Sequence, residues 1–526
     1  MNRFFPLTCC AALCALAPVA LAQSTVPPTT PEATVPGAPI APGDVTAPTG
    51  TPSGAAPLPG TATGGTPVAP SRPVPITPPF YSIGGFGLSG YLRIRPENYD
   101  WFETPNLDNK YTFEGYQLRL AGVKSTKKTD IQIDLQGTAL GNLPRNAVGI
   151  GATYRLANNT QTGAISLKQG FVRFKGAVGK GSAARLGRFE FNEGVEIATK
   201  DPTLNFLETQ RIAQRLVGTF GFSNTGRSFD GINLSAPVGK TGNFTGVLAR
   251  PTAGVFKLDS NDNIDATQFL YGAYSKPFTG GVGRLFGLVY EDAREATGAK
   301  SIKTDNRPIA QRRLDNNRIL DYTLGANAIK VLDTGGGKVD LLAWGALQGG
   351  DWGRLKQKAN AFALEAGYQP ENVQLKPWVR VGYYRASGDN NPLDDTHGTF
   401  HTPLPTPRLY ARYPFYNLMN NTSIYAQLLL RPNPKLLVRS EFQNLNLTNR
   451  NDLLYSGGGP FNDIGFGIGG KASLGQKRIG NLVDTSVDYK FTPETSLGVY
   501  LGYVFDSKVY TDSTSRFAFV EFTQKF

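Results

Sequence analysis

The sequence predicts an all-β protein, a transmembrane antiparallel β-barrel of about 18 strands preceded by a disordered Pro/Thr/Gly-rich tract. Three observations predict it: an export leader, segments alternating apolar and polar residues from Gly90 onward, and connections alternating between tight turns and long loops.

The leader comes first. MNRFFPLTCCAALCALAPVALAQ has one positive charge at Arg3, an apolar stretch, and Ala20-Leu21-Ala22 in the small-x-small form of a cleavage site. Residues 1–22 are therefore read as a cleaved secretory signal peptide. The alternative, a lipid anchor on Cys10 or Cys14, fits less well. Cys10 leaves too short an apolar core, and Cys14 follows Leu13, where a small residue is usual. Cys9, Cys10 and Cys14 are the chain's 3 cysteines, so the expected mature chain has none. An exported chain without disulfides must be held together otherwise, and closing a sheet on itself is one way.

Residues 23–80 hold 16 of the 37 prolines and almost no bulky apolar side chain before Phe80, so they cannot bury a core. They are read as an extended, disordered linker, with docking to cell wall or another partner as the alternative.

Residues 81–526 carry the barrel pattern. Ile131, Ile133 and Leu135 oppose Gln132, Asp134 and Gln136; Tyr116, Leu118 and Leu120 oppose Gln117 and Arg119. Val379, Val381 and Tyr383 oppose Arg380, and Val483, Thr485 and Val487 oppose Asp484, Ser486 and Asp488. Successive strand side chains point to opposite faces, so each segment has one greasy and one charged face. In a membrane barrel the greasy face meets lipid and the charged one lines the lumen. Late in the chain, tight turns at 431–434 and 492–496 contrast with irregular stretches at 387–420 and about 446–480, the asymmetry of a barrel's two rims. The segment RFAFVEFTQKF, with Val520, Phe522 and Phe526 on one face, is similar to the terminal signal read by the barrel assembly machinery. No apolar run after the leader is long enough for a spanning helix.

Net charge is +13. Such an excess reports solubility or an anionic partner, and the partners open to an exported chain are lipid headgroups of the outer membrane, a small anion or an acidic polymer. Nucleic acid is not expected of an exported chain. Arg93, Arg119, Arg380 and Arg439 fall on polar faces, with Asp134, Glu441, Asp484 and Asp488 in the same role. Guanidinium offers a fixed fork of donors to carboxylates, and several weak sites let an anion pass where one strong site would trap it. The competing reading is that arginine and carboxylate satisfy one another inside a plugged barrel.

No nucleophile-base arrangement is legible, and no enzyme activity, cofactor or metal is expected. Asp389, Asp394, Asp395, His397 and His401 in one loop are weak metal candidates, and Asp389, Asn390, Asn391, Asp394 and Asp395 could offer oxygens to calcium.

Three stretches resemble the alginate export family of outer-membrane barrels: RLGRFEFNEGVEI (185–197), SNTGRSFDGINL (223–234) and SGDNNPLDDTHGTFHTPLPTPRLY (387–410). The resemblance implies a barrel of about 18 strands whose arginine-rich lumen passes a polyuronate, with Arg188, Arg227 and Asp230 on the path. A general small-solute porin, or a structural envelope protein contacting cell wall through residues 23–80, are the alternative expectations.

Overall fold

The computed structural model describes residues 80–294, 302–510 and 513–526, so the expected leader and nearly all of the expected linker lie outside the described residues. Eighteen strands form the barrel. They begin with β1 (Phe86–Asp100), β2 (Lys110–Ser125), β3 (Thr129–Gly141), β4 (Gly163–Lys175), β5 (Ala183–Phe189) and β6 (Phe229–Val238). They continue with β7 (Gly242–Pro251), β8 (Thr267–Phe278), β9 (Gly281–Asp292), β10 (Ile319–Asp333), β11 (Gly337–Trp352) and β12 (Leu355–Pro370). The last six are β13 (Trp378–Ala386), β14 (Asn421–Asn433), β15 (Leu436–Leu447), β16 (Arg478–Lys490), β17 (Thr495–Phe505) and β18 (Ser515–Lys525).

Each strand pairs antiparallel with the next, and β18 returns to β1 with Tyr91 opposite Lys525 and Asp100 opposite Arg516. Gly90 and Phe526 exchange backbone hydrogen bonds of 2.8 and 3.0 Å at this seam. Closure leaves no unpaired edge, the only sheet arrangement that survives in hydrocarbon.

The greasy faces point out. Ile133 and Leu135 are 47 % and 48 % exposed while Gln132 and Asp134, alternating with them, are 2 % and 1 %. Val379 and Val381 are exposed and Arg380 is buried. Leu324 and Leu347, opposite one another across β10 and β11, are among the most exposed apolar side chains of the wall. This is the inversion expected of a barrel in lipid.

Loop lengths sort by rim. One end carries the connections 126–128, 176–182, 239–241, 279–280, 334–336, 371–377, 434–435 and 491–494. The other carries 142–162, 190–228, 252–266, 293–318, 387–420 and 448–477, plus three shorter ones including the tight turn 353–354. Short turns face the periplasm in such barrels and long loops the outside.

The long loops are not featureless. In the 190–228 loop, Pro202 opens helix α1 (Pro202–Leu207) at a position needing no N–H donor, and the Asp201 carboxylate caps it by accepting from the Thr203 and Leu204 amides at 2.8 and 2.9 Å. One wide turn, Glu208–Ile212, follows and carries Arg211. The 448–477 loop holds a small hairpin, Leu453–Gly457 against Ile468–Ala472.

Candidate functional site

The candidate site is the lumen, which three loops enter. Their backbones are joined: the Leu404 amide donates to Leu216 O at 2.9 Å, the Gly218 amide to Leu404 O at 2.7 Å, and the Gly254 amide of a fourth loop to Phe461 O at 3.1 Å. Inward side chains all round the wall grip them. Gln117 of β2 donates to Asn224 O at 3.0 Å, Gln348 of β11 to His401 O at 2.7 Å, Tyr384 of β13 to Leu418 O at 2.8 Å. Arg412 donates to Ser486 Oγ of β16 at 2.7 Å.

The charges fall into two groups. Paired guanidiniums form chains: Arg211 reaches Glu365 at 2.9 Å, Glu365 reaches Arg380 at 3.0 Å, and Arg380 reaches Asp340 at 3.1 Å. Arg215 joins them 3.8 Å from Glu365, so three cations meet two anions there, and the chain holds the 190–228 loop to β11, β12 and β13. Arg284 likewise binds Glu193 and Glu196 at 2.5 and 3.2 Å. Taking such charges out of water costs several kcal/mol per ion, which only close pairing offsets.

The second group has no carboxylate opposite it. Arg227 donates to Gly458 O, and its Nε and Nη1 are buried without an acceptor. Arg408 donates to the carbonyls of Ala411, Tyr413 and Tyr416, and its Nε and Nη2 have no acceptor. Burial pushes both guanidiniums down to about 9. Arg439 of β15 is buried on the inward face with no acceptor for Nη2. Beside it Glu441, whose Cα faces Asp484 across β15 and β16, accepts from Gln427 at 2.5 Å, and Asp484 accepts from Tyr500 at 3.1 Å.

The residues singled out in the sequence separate accordingly. Arg93 faces inward and donates to Gly221 O and Ser223 O at 3.0 and 2.6 Å, while its Nε, without a hydrogen-bond acceptor, lies 3.8 Å from Glu521. Arg119 bridges Asp134 and Glu190 at 2.7 and 2.8 Å. Arg380, Arg439, Glu441 and Asp484 also face inward, and Asp488 shares their face, half-buried toward the short-turn end. Arg188 and Asp230 form a two-pronged pair, both contacts 2.7 Å, directly opposite on β5 and β6. They share the outward face with Leu186 and Ile232, and Arg188 also donates to Ser260 O and Asn261 O of a loop laid over them at 3.2 and 2.7 Å. Their parity, one residue off that of inward Arg185 and Asn233, takes them off the lumen wall.

The weak metal candidates spend their side chains on different protein partners, although both histidine rings pack on Trp352. His397 stacks on Trp352 with ring centroids 4.4 Å apart and lies 2.6 Å from Gln357 Oε1, and burial pushes it down to about 3. His401 pairs with Asp321 of β10. Asp389 accepts from the Asn391 amide at 2.8 Å, and Asp394 from that of Thr396 at 2.9 Å. Asp395 lies beside Thr396. Among the described residues no three His, Asp or Glu side chains converge as a metal site.

Sequence reasoning missed Arg211, Arg215, Arg408 and Arg412, because face alternation sorts strand residues and says nothing about loops. The run RIAQR places Arg211 and Arg215 four apart; both guanidiniums lie over the Tyr410 ring, at 5.3 and 4.0 Å. Spacing alone gives no partner for them.

A closed barrel with a lipid-facing apolar wall, a charged inner face and short and long rims is an outer-membrane channel. Within that class, residues 156–515 match the family described as alginate export, and the chain belongs to it. A comparison with curated proteins finds no match. Similar solved structures include Acinetobacter baumannii OccAB2 and Pseudomonas aeruginosa OccK9 (OpdG), each 10% identical with a TM-score of 0.52 and covering 84% of this chain and 97% of theirs. Pseudomonas aeruginosa OpdK, solved with vanillate, is 9% identical with a TM-score of 0.50, covering 84% of this chain and 98% of its own. These likenesses show the fold.

Proposed function

We propose that the channel passes an acidic polysaccharide of the polyuronate class, its carboxylates moving between guanidiniums in the lumen as the central loops yield. The observation that carries this reading is that Arg227, Arg408 and Arg439 are buried with unaccepted guanidinium donors and no carboxylate at ion-pair distance. An unsatisfied buried donor costs about 1–3 kcal/mol, a cost that an arriving carboxylate relieves. Glu441, Asp484 and Asp488 stand near Arg439 and keep that position weak, as passage requires. Arg93, Arg119 and Arg380 have protein acceptors and act as loop anchors. Membership of a family described as alginate export supports a polymeric anion over a small one.

The test is electrical. In planar bilayers the channel should prefer anions, and oligogalacturonate should reduce its current. Replacing Arg227, Arg408 and Arg439 together by Gln should lower both effects by about tenfold, as expected for losing several charge-assisted hydrogen bonds. Cation preference, or selectivity unchanged in the triple variant, overturns the reading.

One observation favours a second reading, a channel for small organic anions. One cavity between the loops and the wall, among Arg211, Arg215, Glu365, Tyr384 and Tyr410, measures about 20 Å³, room for about one water. OpdK, similar in fold, was solved with vanillate. Permeation by galacturonate monomer without any response to the oligomer supports that reading instead.

A further inference from the structure

The two ends of the barrel carry different charge patterns. At the long-loop end exposed cations alternate with carboxylates: Arg318 lies 2.6 Å from Glu291, Lys356 is 2.7 Å from Asp351, and Arg478 and Lys508 share Asp506 at 2.6 and 3.4 Å. These pairs cancel locally, the further exposed cations Arg313, Arg450 and Lys477 share that end with exposed Asp262, Asp265, Asp394 and Asp395, and salt screens what remains beyond about 8 Å.

The short-turn end has ion pairs at its strand ends, Lys175 with Asp130 at 2.6 Å and Lys338 with Asp201 at 3.6 Å, but its turns are different. Lys127, Lys128, Lys180, Lys240, Lys376 and Lys435 stand exposed on five of its eight connections, and among the described residues none of the six is ion-paired. The exposed or half-exposed acids on those connections are Asp333, Glu371 and Glu494, at the boundaries or within three of the turns. Just inside, Lys490 and Lys525 continue the cations on the inward faces of β16 and β18. Like charges spread around one rim repel one another, so the ring is an arrangement held at some cost and matched to an external polyanion.

Two sources of negative charge meet a periplasmic rim: headgroups of the inner leaflet and a polymer in the aqueous space. Headgroup contact calls for lysines on the outward strand faces, where Lys124, Lys276 and Lys330 lie. The six unpaired lysines sit instead on connections beyond the strand ends, and Lys490 and Lys525 lead from them toward the lumen. We propose that this rim is a collar that gathers an acidic polymer from the aqueous side and feeds it into the lumen. This rests on the reading of the channel as a conduit for an anionic saccharide, and adds to it the surface of first contact.

The experiment uses the full chain in detergent and fluorescent oligogalacturonate as probe. One variant carries Lys→Gln at Lys127, Lys128, Lys180, Lys240, Lys376 and Lys435. A matched control carries Gln at Arg313, Arg318, Lys356, Arg450, Lys477 and Lys508, exposed positions of the long-loop end. Heat-modifiable electrophoretic mobility verifies that both are folded. Each exposed ion pair contributes modestly, so removing six should weaken binding by about tenfold or more and flatten its salt dependence, with the control within about twofold of the wild type. Equal weakening in both variants, or none in either, overturns the collar while leaving the channel reading intact. Absence of wild-type binding removes the channel reading itself. Phosphatidylglycerol vesicles form a third arm: if the collar variant loses retention on them but keeps oligogalacturonate affinity, the lysines serve headgroups and the proposal fails.

Discussion

Glu365 sits between two guanidiniums that come from different parts of the chain, Arg211 on a loop and Arg380 on the neighbouring strand. Glu365→Ala leaves Arg211 without its carboxylate and Arg380 with Asp340 alone. Breaking a buried pair in this way costs about 3–5 kcal/mol, which urea unfolding in lipid vesicles should register. Arg439→Gln removes a side chain whose neighbouring carboxylates lie beyond ion-pair distance, and stability should move by no more than about 1 kcal/mol. The contrast separates guanidiniums that hold the structure from those free to meet a solute. Asp452 makes a different point. It accepts from the Asp389 amide at 2.9 Å, Thr399 Oγ at 2.6 Å and Tyr455 OH at 2.7 Å, joining the 387–420 and 448–477 loops. Burial pushes its carboxyl up to about 7 against the pull of these donors. A folded-state value above the unfolded one means the folded state holds the proton more tightly, so stability falls as pH rises from about 4 to 7. Hydrogen exchange at Asp389, Thr399 and Leu453, corrected for intrinsic rates, should show more protection at pH 5 than at pH 8. Equal protection at both sinks this reading.

At the scale of elements the loops decide what the lumen can do. The segment 403–418 meets the 190–228 loop through Leu404, Thr406 and Tyr410, whose hydroxyl donates to Ala213 O at 2.6 Å. Shortening it to a Gly-Ser link should raise single-channel conductance several-fold without unfolding the barrel, because the strands beneath keep their ladders. The strands were legible in the sequence: period-two alternation gave Gln132 and Asp134 one face and Ile133 and Leu135 the other, and lipid selects which points out. Tight turns and long stretches were legible too. The inward fold of the loops was not, since Arg211 with Glu365 and Gln348 with His401 O depend on approaches between segments that local pattern does not record. Arg188 and Asp230 show a related limit: the motif containing them is local, but a one-residue difference in parity decides whether its charges face lumen or lipid.

For the whole molecule, the wall is stabilised by an inversion of the usual arrangement, so substitutions should obey inverted rules. Leu347→Arg, on the lipid face of β11, should cost about 2–4 kcal/mol in vesicle unfolding, while Lys127→Gln in the aqueous turn should cost almost nothing. The seam of β1 with β18 adds a constraint in time. Side chains as far apart in sequence as Arg95 and Glu521, separated by 426 positions, meet there at 3.3 Å. Neighbouring hairpins can form as soon as they emerge, but this join must wait for everything between. A translation product stopped short of β18 has no finished form to reach and retains two raw margins that invite stacking on other copies. Quality control should therefore treat such fragments as waste, and truncation alleles should behave as complete losses.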